Sequence, residues 1–138
     1  MSLIDEYILT NNFGRLLGMN FTILEPGIVN YSLLINKDHL ATPFSVHGGC
    51  FSSLLDATMG VGALSLVAQN NQVVATIEMK INFLKSAKLN DELMATSRVI
   101  KNGNKIIVMF AEIRNQKNEL LALSSGTFLP YDAAKAGY

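Results

Sequence analysis

The stretch from about His47 to Gln69 limits what this chain can become more than any other. It is the one long segment with helical character, it is closed by Asn70-Asn71, and no strand runs this far without a turn signal. Phe51, Leu54, Leu55, Met59, Val61, Leu64, Leu66 and Val67 leave it almost no polar face, so water cannot be its main neighbour. Such a helix has to lie inside a curved sheet, and the flanking sequence supplies one. Four β-rich runs follow: Val73–Lys85, Glu92–Lys101, Lys105–Asn115 and Leu120–Leu129. Asn102-Gly103 marks a tight hairpin, Asn115–Asn118 the next turn, and Pro130 is expected to end the last strand. Ahead of the long helix come a short helix, Ser2 to about Asn12, with Leu3, Tyr7 and Ile8 on one side, and two strands, Leu17–Leu24 and Ile28–Ile35. The Glu25-Pro26-Gly27 turn joins those strands, and a polar connection spans Asn36–Ser45. The tail, Asp132–Tyr138, is expected to be disordered. The predicted architecture is α+β, an antiparallel sheet wrapped around one long central helix.

With 138 residues the chain is expected to form a single domain, 1–138. Eleven basic residues balance eleven acidic ones, so the net charge is zero, without the electrostatic footprint of a partner for nucleic acid or an anionic membrane. Charged residues make up 16%, against about 25% in an average domain. A surface so sparsely charged suggests that a partner chain covers part of it. The lone cysteine, Cys50, rules out a disulfide within one chain and fits a reducing compartment. The longest apolar run, Ala57–Ala68, is short of the roughly 20 residues of a membrane helix, and the acidic N-terminal region is unlike a secretory signal. A cytoplasmic location is the expectation.

Nucleotide-binding glycine motifs, zinc-protease motifs and a nucleophile elbow are absent from the sequence. His39 and His47 have no nearby cysteine pair, which speaks against zinc. His47-Gly48-Gly49 at the helix start and Asp56 within the apolar helix stand out instead. Two glycines there let a ligand approach unpaired backbone N–H groups, which suit an oxyanion forming on a carbonyl. Asp56 needs a partner or a task in apolar surroundings. Equally, the glycines serve if they only permit close packing and Asp56 if it only makes a structural hydrogen bond. Gly48 and Asp56 are eight positions apart, ~12 Å along a helix. One carbonyl cannot reach both groups of the same chain. Two antiparallel helices across a two-fold axis would bring one chain's Gly48 to the other's Asp56, twice per dimer.

The stretch His47-Gly48-Gly49-Cys50-Phe51-Ser52-Ser53-Leu54-Leu55-Asp56-Ala57-Thr58-Met59-Gly60 resembles the helix motif of hotdog-fold acyl-CoA thioesterases, in the phenylacetate-degradation (PaaI-type) subgroup. Thr76 through Ala87 is similar to that family's next strand, which commonly ends in aromatic-Leu-Arg-Pro-Ala. The likeness runs on to about Leu129. It implies a hotdog fold and hydrolysis of an acyl-CoA to a carboxylic acid and free coenzyme A, without metal or redox cofactor. It further implies a homodimer, commonly paired into a dimer of dimers. Asp56 matches the family's general base or nucleophile, Gly48 the backbone donor to the thioester carbonyl, and His47 a residue beside that carbonyl. Thr76 matches a hydroxyl that positions water or the carboxylate. Gly49 is expected to line the substrate site, and Lys85, in place of the usual Arg, to lie near the coenzyme A phosphates.

The sequence departs from the pattern at Ala41, six residues before His47, where many members carry an Asn that orients the nucleophile. Ser86 and Asn90 replace a usual Pro and Gly. Ala41 motivates an alternative, a non-catalytic module that binds acyl-CoA or an acyl carrier. Plainer roles compete at each position. His47 serves equally as a helix-start hydrogen-bonding group, Cys50 as a small packing residue, and Lys80, Lys85, Lys88, Lys101 and Lys105 as solvated strand edges. Strict alternation puts Thr76 opposite the Ile77, Met79, Ile81 and Phe83 face. It reaches the site if that face meets a partner or if a bulge intervenes.

Overall fold

The computed structural model describes residues 1–138. Eight strands and three α-helices follow one another as α1 (Leu3–Thr10), α2 (Asn12–Leu17), β1 (Asn20–Glu25), β2 (Ile28–Leu34), β3 (Leu40–Thr42), β4 (Ser45–Val46), α3 (Gly48–Val67), β5 (Gln72–Phe83), β6 (Glu92–Asn102), β7 (Ile107–Arg114) and β8 (Leu120–Asp132). Six strands form one antiparallel sheet in the order β1-β2-β6-β7-β8-β5, and β3 and β4 make a separate small ribbon. The sheet curls around α3, as expected of a hotdog fold. Leu54, Leu55, Met59 and Ala63 of the helix are fully buried against Tyr31, Leu33, Met109, Ile113, Leu121 and Phe128 of the sheet.

The helix's hydroxyl groups are satisfied without leaving it. Thr58 Oγ1 donates to the Leu54 carbonyl at 2.6 Å, Ser53 to Gly49 at 2.8 Å and Ser52 to Gly48 at 3.1 Å. Together with a 3-10 turn at Ala68–Asn70, the helix is long and apolar enough to cross a bilayer. The apolar-run argument therefore understated its length. What occupies its apolar surface here is the sheet: 61% of its most apolar 18-residue stretch is buried within the fold.

α3 sits close to the β1–β2 turn because Gly62 faces it. A Cβ at Gly62 would lie 2.7 Å from Met109 Cε and 2.8 Å from Ser97 Oγ. Two hydroxyls then fasten the turn. Ser65 Oγ accepts from Gly27 N–H at 2.8 Å. The buried Ser97 Oγ accepts from Val29 N–H and donates to the Gly27 carbonyl, both at 3.0 Å.

Several expected boundaries shift, each for a local reason. The first helix is two, because Asn11 caps a second one through Gly14 N–H. That second helix carries past Leu17 to a left-handed Gly18, so β1 starts only at Asn20. The polar connection Asn36–Ser45 holds a 3-10 turn at Lys37–His39 and the β3–β4 ribbon. Pro130 does not end the last strand. β7 pairs with β8 only as far as Phe128, so beyond it β8 has one neighbour, β5, and a proline without N–H fits there opposite Val74. The tail is ordered rather than disordered. Ala133 is buried beside Leu64 and Val73, Asp132 accepts from Ala134 N–H at 2.9 Å, and residues Ala133–Ala136 form a 3-10 turn. Small residues that read as loose in isolation are held by the apolar floor beneath them.

Ser97→Ala leaves Val29 N–H and the Gly27 carbonyl buried without partners, and is expected to cost about 1–3 kcal/mol. Urea denaturation would show this as a lower midpoint with an unchanged slope; a midpoint equal to wild type would mean that the turn does not depend on this hydroxyl.

Candidate active site

Asp56 is half-buried, not fully enclosed as its apolar segment suggested. It shares with Ser53, Ala57 and Gly60 a stripe of α3, at helical spacing, that this chain's own sheet leaves partly uncovered. Thr76 lies across from it on β5, and its hydroxyl donates to Asp56 Oδ1 at 2.7 Å. A bulge makes this contact. Thr76 pairs with Phe128 and Glu78 with Thr127, so Ile77 is the extra residue between them. Met79 and Ile81 pack on the core and Phe83 stacks on Phe51, so the helix-facing side carries odd numbers down to Met79 and then Thr76. Ile77, which alternation puts on the inner face, is 55% exposed. One inserted residue thus exchanges an isoleucine for a threonine beside the carboxylate.

Two clefts meet at this pair. One, of about 320 Å³, runs toward the end of α3 over Gly60 and Leu64. The other, of about 520 Å³, runs toward its start over Ser52 and Ser53. Tyr7 of α1 borders both, and burial, followed by the neighbouring Tyr31 and Tyr138 phenols, pushes its own phenol well above the ordinary range. Nothing in the spacing of the first helix marked Tyr7 as part of a site; its placement there is tertiary.

The glycine-rich end is built differently. His47 is the N-cap of α3, and its Nδ1 accepts from Gly49 N–H at 2.7 Å. Cys50 N–H donates to the His47 carbonyl at 2.9 Å. Gly49's amide is therefore taken by the imidazole, and a Cβ at Gly49 would lie 2.8 Å from His47 Nδ1. Gly48 N–H makes no hydrogen bond within the chain and is exposed beside Phe83, in a cleft of about 360 Å³ that also reaches Lys85. Of the two glycine amides, Gly48's is the free donor. The Lys85 ammonium pairs with Glu119, and this bond, followed by that from Asn115, holds the Glu119 carboxyl below its usual range.

His39 is buried. Its Nε2 lies 2.8 Å from the Leu17 carbonyl and its Nδ1 accepts from Asn36 N–H, which makes Nε2 the protonated nitrogen. Its carbonyl accepts from His47 N–H at 2.8 Å, so His39 fixes the segment that leads into the glycines. Cys50 is buried and burial raises its thiol, as suits packing rather than attack. Ala41 is exposed on β3, and the hydroxyls of Thr42 and Ser45 bond each other at 2.7 Å. No neighbouring hydroxyl takes over the position of the missing Asn.

The structure brings Asp56 and Thr76 together and leaves His47, Gly48, Gly49 and Lys85 at the other end of an unbroken helix. Comparison with known proteins gives this arrangement a family. The chain is 26% identical over 125 residues to an Archaeoglobus fulgidus protein provisionally named an esterase, covering 90% of this chain and 79% of that one. It is 25% identical over 108 residues to human acyl-coenzyme A thioesterase 13, covering 76% and 74%. Its fold superimposes on that of E. coli PaaI, from the phenylacetic acid degradation operon, with a TM-score of 0.86 at 23% identity, over 93% of this chain and 90% of PaaI. The thioesterase superfamily model matches residues 45–122, from the strand before α3 to the start of β8 and so across Gly48, Asp56 and Thr76 alike. More than half of the chain lies inside that match, and the chain belongs to the thioesterase superfamily.

Proposed function

We propose that this protein hydrolyses an acyl-CoA thioester at a site shared between two copies of the chain. The Asp56–Thr76 pair carries the reading: a carboxylate held by one hydroxyl at the junction of two clefts, one of them lined mostly by hydrophobic residues. Thr76 occupies Oδ1 and leaves Oδ2 free to act. As a general base, Oδ2 takes a proton from water while the water oxygen attacks the thioester carbon. As a nucleophile, it attacks that carbon itself, and water then hydrolyses the resulting mixed anhydride to free the acid and restore the carboxylate. Either way the carbonyl oxygen gains negative charge, which the Gly48 amide stabilises, and collapse breaks the C–S bond to release coenzyme A as thiolate.

Because α3 runs unbroken from Gly48 through Asp56, the two groups of one chain stay ~12 Å apart. The free edge of β5 supports a second copy. It has a sheet neighbour on one side only and exposes Ile77, Phe83 and the following Leu84, an edge that soluble proteins rarely leave bare. A two-fold axis through Lys80 would pair two β5 strands antiparallel and, because Ile77 is bulged out, set the partner's Thr76 opposite Phe83. Both residues face the helix side, so the partner's Asp56 would come toward Gly48. The pantetheine arm then runs through the cleft at Phe83 and Lys85, and two such dimers complete a dimer of dimers. A non-catalytic acyl-CoA or acyl-carrier binding module is the second reading, favoured by Ala41; binding without thiol release would select it.

Asp56→Ala is expected to lower thiol release from acyl-CoA by about 10²–10⁴-fold. Thr76→Val, which removes a hydrogen bond to a charged group, is expected to lower it by about ten- to a hundredfold. Rates unchanged by Asp56→Ala would move the chemistry elsewhere. Gly48→Pro isolates the amide, since proline is well tolerated at the first helical position and His47 already has the extended backbone that proline requires before it. Its expected effect on kcat is about 10²–10³-fold, while Gly48→Ala retains most activity. If the site is shared, unfolding and refolding inactive Gly48→Pro and Asp56→Ala together restores about a quarter of wild-type activity, because each mixed dimer regains one intact site. Mixtures that stay inactive would reject a site that takes Gly48 from one chain and Asp56 from the other.

A further inference from the structure

The cleft that leads from Asp56 toward the end of α3 is bordered by α1 and by the tail that follows β8. Its inner wall is Leu64, Val73 and Phe128. Its roof is Tyr7 from α1, with Ala136 and Tyr138 from the ordered tail. Leu3, Ile4, Tyr7, Tyr131 and Tyr138 pack around the buried Leu64–Val73–Ala133 cluster, so both terminal segments rest on one apolar floor. A single hydrogen bond joins them to each other, between Thr10 Oγ1 and the Tyr138 hydroxyl at 2.8 Å. Asp56 and Thr76 stand at the opposite side of the same space.

We propose that this roof is an acyl-length ruler, in which Tyr138, steadied by Thr10, sets how large an acyl group the Asp56 site accepts. Which reaction follows rests on the hydrolase reading above; the binding preference does not. An acyl group whose carbonyl lies at Asp56 can extend along α3, over Ala57 and Gly60 toward Leu64, where hydrophobic residues make up most of the lining. Water gains nothing by staying there, and the lining favours hydrocarbon. The space of about 320 Å³ is roughly twice a cavity of ~150 Å³ that accommodates benzene. It therefore suits a medium-chain acyl group, or a single ring on a short linker, and a long saturated chain would have to displace the tyrosine. The opposite cleft, over Ser52, Ser53 and Asn11, is larger and has the smaller share of hydrophobic residues.

The test measures binding and turnover separately. S-alkyl-CoA thioethers, which cannot be hydrolysed, would be titrated calorimetrically into wild type, Tyr138→Ala, Tyr138→Phe and Ala136→Trp, and acyl-CoAs of matching chain length assayed for thiol release. Wild type is expected to prefer octyl over hexadecyl thioether, and Tyr138→Ala to raise the hexadecyl-to-octyl affinity ratio about tenfold. Tyr138→Phe keeps the ring and is expected to stay near wild type, whereas Ala136→Trp narrows the space and shifts preference toward butyl. An unchanged length profile in Tyr138→Ala and Ala136→Trp, both folded by circular dichroism, overturns the proposal. So does a wild type that binds hexadecyl as well as octyl, or none of the thioethers. A shifted binding profile without thiol release from any acyl-CoA upholds the ruler and removes the hydrolase reading alone.

Discussion

Everything in this molecule follows from having to dry one helix. Leu54, Leu55 and Met59 are fully buried, at a gain of about 1.5–3 kcal/mol each. Gly60 and Gly62 inside the same helix cost about 1 kcal/mol each relative to alanine. Burial wins, and the glycines return part of their cost through geometry: Gly62 lets the helix approach the Gly27 turn, where a side chain would collide with Met109 and Ser97. The sheet must curl to surround the helix. In curling it leaves one stripe, Ser53, Asp56, Ala57 and Gly60, that no strand of this chain fully covers.

That uncovered stripe is where chemistry becomes possible. A carboxylate sealed under the sheet would have to be neutral or fully paired. Half-buried, Asp56 keeps one oxygen free while Thr76 fixes the other. The β5 bulge is the inexpensive device behind this, since one extra residue changes which side chain faces inward without disturbing the rest of the strand. At the other end of α3, His47 consumes the amide of Gly49 and leaves that of Gly48. One chain thus carries a carboxylate with a free oxygen and an unpaired backbone amide, held apart by a rigid helix. The thioesterase superfamily match spans both groups, and β5 is a sheet edge with a neighbour on one side only.

The terminal segments have a similar logic. α1 and the tail are short and weakly patterned, and neither has a reason to fold alone. They are ordered because Leu64 and Val73 emerge at the end of the helix and the start of β5 with nothing else to cover them. Tyr7 and Tyr138 reach the Asp56 cleft as a by-product of that covering.

Thr76 entered only through the family resemblance; the sequence by itself determined the order of the main elements, the central position of the helix, and the identity of Asp56 and Gly48 as residues worth explaining. These are legible because hydrophobic periodicity, glycine placement and a lone acid in an apolar run are local patterns. The distance between Gly48 and Asp56 was legible too, because helical rise is fixed. Only the tertiary structure decided that Thr76 faces Asp56, that Gly49's amide is spent on His47, that β8 runs on through Pro130, and that the tail roofs a cleft. A bulge is one residue of register set by a neighbouring strand, and the order of a tail depends on the apolar surface it finds. Both depend on partners distant in sequence, so no local pattern encodes them.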